Sequence, residues 1–582
     1  MTPGCDIDNS EAECELVRPS FPITGDATSD ECVEFAQFLI TDCVENHAEC
    51  SKPISSRRTR MTKTNIMRRL QRGMKDLLHK DEHIPLPTRL LDIGTPGTDY
   101  IRLIETASSP PPADAKYACL SHCWGPSQPL TTTTSTLADR KSSIPWSTLP
   151  KTFQDAADFA RRLSIPYLWI DSLCIIQDSK EDWRAESARM ASIYENCFVC
   201  LAATASPGHH GGLYFAQPNP AVSRGIITLN DNGKAHDIFV RATALRHPDM
   251  TRQHPRPGAA VERDLPLLQR GWVFQELLLA PRILHFWPHE LYYQCMEMHA
   301  CECGANLRDG VEKGQHIEAL GHGRGWVDMV GADDSDDDDS ENDDDDSDGG
   351  SRRRRRRRRR RPQDRKLLAL QQRWRDMVTQ YSRLRLTFGS DRLPALAGLA
   401  KQMMRVRGGK YLAGMWEDSL FEDLCWKVVE ERSSSETIPP PKDAGAYIAP
   451  SWSWASVLEP VQYANDRINR RREHKFVPDA KLISIKVVNV DAHEPTGQVV
   501  SGELKLSATW TQTYPDQREY GRPESREDVY YVRLATADSY RYWLVLERVD
   551  ADHYRRTGLV EGYDTYEPEG LVKKGPDMFT IV

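Results

Sequence analysis

Three observations predict an α/β protein built on an open, mainly parallel sheet with helices on both faces. Short apolar runs ending on polar residues recur at 117–121, 167–170 and 198–203. Amphipathic helical segments separate them, and the links between are short. Alternating strand and helix in one sheet implies right-handed crossovers and parallel neighbours. Beyond Tyr447 the pattern changes to IAPSWSWAS, LISIKVVNVDA, SGELKLSATW, VYYVRLAT and YRYWLVLERVD, so a C-terminal β-rich α+β region follows the core.

Residues 1–30 are acidic and turn-rich, while 31–50 have helical apolar spacing. A basic helical stretch, Arg57–Lys80, leads to LPTRLLDIG (85–94), the entry to a strand. Tyr117–Ser121 is the next strand, followed by the turn HCWGPSQP and a Thr-rich loop. In the following helix Phe153, Ala156, Ala157, Ala160 and Leu163 form a buried stripe, and Thr152 with Asp155 makes a capping-box-like pair. Pro166 closes the link to strand Tyr167–Ile170, and Ser179 with Asp182 repeats the capping signature before another helix and strand. A helix holding Trp374 and Met377 opens the second half. The predicted divisions are a helical lead-in (1–84), the α/β core (85–305), a linker (306–365) and the α+β region (366–582).

The linker carries a low-complexity insertion, 333–361, with twelve acidic residues among Asp333–Asp348 and ten consecutive arginines, Arg352–Arg361. Neither run can pack a core, so an exposed loop expansion is expected, the arginines offering a nuclear address or a phosphate patch. The net charge of −9 argues against general nucleic-acid binding. No apolar run approaches the ~20 residues of a membrane helix. The first residues lack the basic and apolar regions of a secretory signal. The fourteen cysteines therefore read as reduced thiols of a cytoplasmic protein.

Glu186 occupies an odd position. At about 100° per residue from Trp183, it falls near 300°, inside the apolar stripe of Met190, Ile193, Tyr194 and Cys197. A carboxylate there must be paired, protonated or facing a ligand cavity. The plain alternative is a structural Glu bonded to a nearby Arg or amide. Strand ends should bring Ser121, His122, Cys123, Trp124 and Gly125 together with Asp171, Ser172 and Cys174, and the following helix adds Trp183 and Glu186. Carboxyl ends of strands are the ligand edge of an open α/β sheet. An aromatic, carboxylates and hydroxyls suit a nucleotide or sugar, with Gly125 allowing a tight turn. In RGWVFQELLLAPRILHF (270–286), Trp272, Gln275 and Glu276 share a helix face, and Arg270 and Arg282 could meet phosphate oxygens. An amphipathic helix with an ordinary ion pair explains the same residues.

Cys43, His47 and Cys50 fall on one helical face, and zinc would need a fourth ligand such as Cys32. Buried apolar cysteines are the commoner arrangement, and no metal is assigned from sequence. Cys295, His299, Cys301 and Cys303 fit no standard zinc knuckle. A cysteine hydrolase using Cys123 or Cys174 with His122 and Asp171 is weakened because adjacent strand residues point oppositely. No GxSxG, Walker loop, HExxH or GxGxxG stands in convincing context.

YACLSHCWG (117–125), LPKTFQDAADFARRL (149–163), YLWIDSLCIIQDSKEDWRAESARMASIYENC (167–197) and RGWVFQELLLAPRIL (270–284) resemble, in order and spacing, the successive blocks of the fungal heterokaryon-incompatibility (HET) domain. Cys43–Cys50 with LPTRLLDIG resembles the family's lead-in, and YSRLRLTFGSDRLPALAGLA, YLAGMW and APSWSWAS its downstream region. Where relatives often carry Trp-Glu-Cys, this chain has Tyr293-Gln294-Cys295. The resemblance implies a non-self recognition or immunity-type effector that triggers cell death. It also implies a distant similarity to TIR domains and their flavodoxin-like core. Some TIR domains cleave NAD with a Glu on a helix after a central strand, the place Glu186 matches. NAD would then be a substrate, with no cofactor required. Glu186 and Asp171 would be catalytic, and Ser121, His122, Trp124, Gly125, Ser172, Trp183, Arg270, Trp272 and Glu276 would bind the nucleotide. A non-catalytic module that self-associates or recruits a protein partner stays open beside it.

Overall fold

The computed structural model describes residues 2–5, 26–50, 86–215, 224–231, 234–241, 265–288, 290–302, 316, 362–429, 440–464, 476–512, 528–537, 540–563 and 574–582. Nine strands form one sheet: β1 (Arg89–Asp92), β2 (Tyr100–Glu105), β3 (Tyr117–Ser121), β4 (Ile144–Pro145), β5 (Tyr167–Trp169), β6 (Val199–Ala202), β7 (Arg282–Phe286), β8 (Leu291–Cys295) and β9 (His299–Cys301). Their spatial order is β9-β8-β7-β6-β3-β5-β1-β2-β4. The four central strands, β7, β6, β3 and β5, are parallel. Every residue of β3 and β6 is buried, as strands covered on both faces must be.

The flanking strands are antiparallel, so the sheet is mixed rather than mainly parallel. Short loops join β1 to β2, β7 to β8 and β8 to β9, and a short loop reverses the chain, whereas a parallel neighbour needs a long crossover.

Among the described residues the longer helices are α1 (Asp30–Asn46), α2 (Lys151–Arg162), α3 (Lys180–Asn196), α4 (Gly271–Leu279), α5 (Pro362–Tyr381) and α6 (Ala397–Arg407). From β3 the chain passes through α2 to β5 on one side, then through α3 to β6 on the other. Two right-handed crossovers in opposite directions put α2 and α3 on opposite faces. Side chains agree. The Tyr117 hydroxyl donates to Ile193 O of α3 at 2.7 Å, while His122 stands edge-on to Phe153 of α2 with ring centroids 5.1 Å apart. The end of β3 is therefore a topological switch point.

Ser179 caps α3 as expected, its Oγ accepting from Asp182 N at 3.2 Å. Thr152 and Asp155 do not cap α2, which starts after Pro150. Instead Thr152 Oγ1 accepts from Gly212 N at 3.0 Å and Asp155 Oδ2 from Leu213 N at 2.9 Å, fastening the loop that follows β6. The helix expected across 31–50 stops at Asn46, where His47 turns extended.

The second half packs on the first. Gln275 of α4 accepts from Gly398 N of α6 at 3.2 Å, and Gly271 N donates to Arg385 O at 2.8 Å. Trp374 and Met377 of α5 are buried. At the C-terminus, Val499–Thr511 pairs with both Lys574–Ile581 and Val529–Ala537. With Tyr540–Arg548 and His553–Tyr563 these strands close into a five-membered ring, which removes free edges between them. The insertion 333–361, the stretch Arg57–Lys80 and Cys303 lie outside the described residues. Among the described residues no helix is long and apolar enough to cross a membrane.

Candidate functional site at the carboxyl edge of the sheet

Asp171 stands one residue beyond β5, at the start of a short helical turn, Asp171–Cys174. Its Oδ1 accepts from Ser172 N at 2.7 Å and its Oδ2 from Trp124 Nε1 at 2.9 Å. His122 Nδ1 lies 3.9 Å from Oδ1. Burial pushes the His122 imidazole down to about 4; Asp171 opposes that shift, while Arg270 and His209 add to it. His122 is therefore neutral near pH 7.

Trp124 is held from two more directions. His209 Nδ1 lies 2.7 Å from Trp124 O, a pairing that needs the proton on Nδ1. Gly125 adopts φ +78°, and a Cβ there would stand 3.0 Å from Gly208 Cα, so the loops after β3 and β6 meet through two glycines.

Arg270 precedes α4 and donates to His122 O. Glu276, further along α4, is buried, and burial pushes its carboxyl up to about 7. The Ser121 and Tyr194 hydroxyls and Arg270 favour its charged form, whereas Asp171 disfavours it. The switch point thus gathers Ser121, His122, Trp124, Gly125, Asp171, Ser172, Arg270 and Glu276.

Glu186 lies on the buried stripe of α3, 2% exposed. Thr88 Oγ1 donates to its Oε1 at 2.6 Å, and Arg189 Nη1 stands 3.8 Å from the same oxygen. Its Oε2 is buried with no hydrogen-bond partner among the described residues. The charges of Glu186 and Asp171 both act on the Cys174 thiol, which lies in the turn that Asp171 opens. Glu186 therefore belongs to the same edge, displaced towards β1.

Trp272 and Arg282 stand apart from this edge. Trp272 Nε1 donates to Asp391 Oδ2 at 3.0 Å, towards the second half of the chain. Trp183, one turn before Glu186 on α3, is half-buried against the core. Arg282 opens β7 at the opposite end of the sheet, where it donates to Phe198 O at 2.8 Å, and so cannot serve this edge. Burial pushes the Cys123 thiol up and that of Cys174 up to about 12, so neither is a thiolate nucleophile.

Three contributors escaped sequence reasoning. Arg89, buried at the start of β1, donates to Cys174 O at 2.6 Å and pairs with Asp182, clamping the Asp171 turn to α3. Tyr194 shares the helical stripe of Glu186, which could have flagged it. Nothing local in the sequence marks His209.

At the far end, Cys43, His47 and Cys50 meet Cys295, not Cys32. Cys32 lies against Glu302, whose charge, after burial, raises the thiol further.

Residues 117–276 match the family model described as heterokaryon incompatibility protein (HET). The match starts on the first residue of β3 and ends on Glu276, so it brackets the residues gathered at the switch point. No curated protein and no solved structure matches the chain. The chain therefore carries a heterokaryon incompatibility domain, with the carboxyl edge of its central strands inside it.

Proposed function

We propose that this protein is an effector of fungal heterokaryon incompatibility whose activation ends in cell death, and that the switch-point edge is its working site. The observation that carries this reading is the convergence of Trp124, Asp171, Arg270 and Glu276 within the span matching the HET family. The chemistry we assign is hydrolysis of the N-glycosidic bond of NAD or a related nucleotide, releasing nicotinamide and a ribosyl product. The face of Trp124 would stack a base, and Ser121, Ser172 and Arg270 would hold hydroxyls or phosphates. The unpartnered oxygen of Glu186 would stabilise positive charge developing at the ribose carbon. Glu276, titrating close to neutrality, is suited to take a proton from the attacking water. The same role for Glu186 would follow from the distant TIR similarity that the family resemblance implies.

The test is nicotinamide release from NAD by the purified full chain, in monomeric and assembled forms. Glu186→Gln should lower release by roughly 100-fold or more. No release in any form, or release unchanged by that substitution, would sink the enzymatic reading.

A second reading rests on a different observation: Asp171 is already tied to Trp124 and Ser172, and Arg270 to the His122 carbonyl. A non-catalytic module that self-associates or recruits a protein partner needs only that rigidity. It predicts that Glu186→Gln leaves cell death intact while disruption of an assembly surface abolishes it.

A further inference from the structure

We propose that Cys43, His47, Cys50 and Cys295 bind a structural zinc ion. One donor atom from each of the four lies within 4.8 Å of all the others. A tetrahedral zinc with Zn–S bonds of about 2.3 Å holds its sulfurs about 3.8 Å apart, so the cluster needs little contraction to close on the ion. Cys43 is on the last turns of α1. His47 ends that helix, and the turn to Cys50, with Cys50 N donating to His47 O at 3.2 Å, folds the third ligand back over the first. Cys295, the last residue of β8, supplies the fourth position, with its Sγ 3.3 Å from His47 Nδ1.

The surroundings fit three thiolates better than three thiols. The buried guanidinium of Arg282 brings Nη1 to 3.7 Å from Cys43 Sγ, while its Nε and Nη1 also meet the carbonyls of Phe198 and Cys50. A buried cation demands compensating negative charge, which neutral thiols do not supply. Met298 N adds a hydrogen bond to Cys295 Sγ at 3.3 Å. On the other side of the imidazole, His47 Nε2 lies 3.8 Å from Asp42 Oδ2, too far for a hydrogen bond but close enough for the carboxylate to favour a ring whose proton sits on Nε2 and whose Nδ1 is left to the metal. Three sulfurs and one nitrogen, with no position left for water, are the donor set of a closed structural zinc site. The ion would pin α1 to the antiparallel flank of the sheet, at the end remote from Asp171.

The experiment uses the full chain purified under reducing conditions. Elemental analysis should find one zinc per chain, and cobalt exchange should give the thiolate charge-transfer and tetrahedral d–d bands of a sulfur-rich site. Cys295→Ser and His47→Ala should lose the metal, while Cys32→Ser keeps it. The wild-type cobalt spectrum decides the matter even where a ligand variant fails to fold. A wild-type chain that carries no zinc and takes up no cobalt, a native disulfide among the three cysteines, or wild-type zinc content in Cys295→Ser would overturn the assignment.

Discussion

The indole N–H of Trp124 donates to Asp171 at 2.9 Å, tying together the residues that leave two neighbouring parallel strands. Asp171 also accepts from Ser172 N, so one side chain satisfies two donors. Asp171→Ala should therefore destabilise the protein by about 1–3 kcal/mol, the usual cost of orphaning buried donors. Asp171→Asn, which keeps one acceptor oxygen, should cost about half as much. Urea unfolding with unchanged slope measures both.

Glu276 and His122 give opposed pH dependences. Glu276 is pushed from 4.5 up to about 7, so the folded chain keeps a proton that the unfolded chain has lost. Its contribution to stability is present below pH 4.5 and is lost as pH rises towards 7. His122 is lowered from 6.5 to about 4, so the unfolded chain binds its proton first, and stability falls as pH drops from 6.5 to 4. The two slopes cancel over much of the acidic range. Glu276→Gln should unmask the histidine, giving stability that rises with pH by up to about 1.4 kcal/mol per unit. Melting temperatures of wild type and variant across this range test it; parallel curves would refute the assignment.

Gly125 and Gly97 share left-handed backbone, at φ +78° and φ +88°, but only Gly125 has a neighbour where a Cβ would go. Gly97→Ala should cost about 1–2 kcal/mol from conformation alone. Gly125→Ala should cost clearly more, because the Gly208 backbone must retreat. Comparing the two in thermal unfolding separates backbone strain from the contact between loops.

Arg375 and Asp423 pair at 3.2 Å, both side chains almost wholly buried. Asp423 also accepts from Trp416 N at 3.0 Å and Ser419 Oγ at 2.9 Å. Removing one cation by Arg375→Met should destabilise by about 3 kcal/mol, since the buried carboxylate loses its ion-pair partner and keeps only the charge of Arg407 nearby. Denaturant midpoints provide the measurement.

The core of the fold was legible where apolar runs alternate with amphipathic helices. Apolar runs at β3, β5 and β6, with α2 and α3 between them, carry both period and order. LPTRLLDIG also marked the entry to β1, but the antiparallel direction of the flanks was not legible, because it depends on which strands the short loops bring side by side and not on any residue pattern. Strand ends located Ser121, His122, Trp124 and Asp171, and helical spacing located Glu276. Trp272 misled because α4 contacts two bodies, and spacing cannot say which face meets the sheet. Thr152 and Asp155 have the spacing of a cap, but a loop more than fifty residues away claims them. Cys295 could not be matched to Cys43 from sequence, since the pairing depends on where α1 docks.

Gly398 bears on what unit of this chain is portable. A Cβ there would run into Ala191 of α3 and the Gln275 side chain of α4. The helix carrying Glu186 is thus seated against the sheet on one side and against a residue without a side chain on the other. Grafting 117–276 into another protein would carry over every strand end yet leave α3 without its cover. A working transplant has to extend through α6, and a recipient with a larger residue at the matching position would reject it. The segment that moves intact between proteins is therefore longer than the segment that gathers the strand ends.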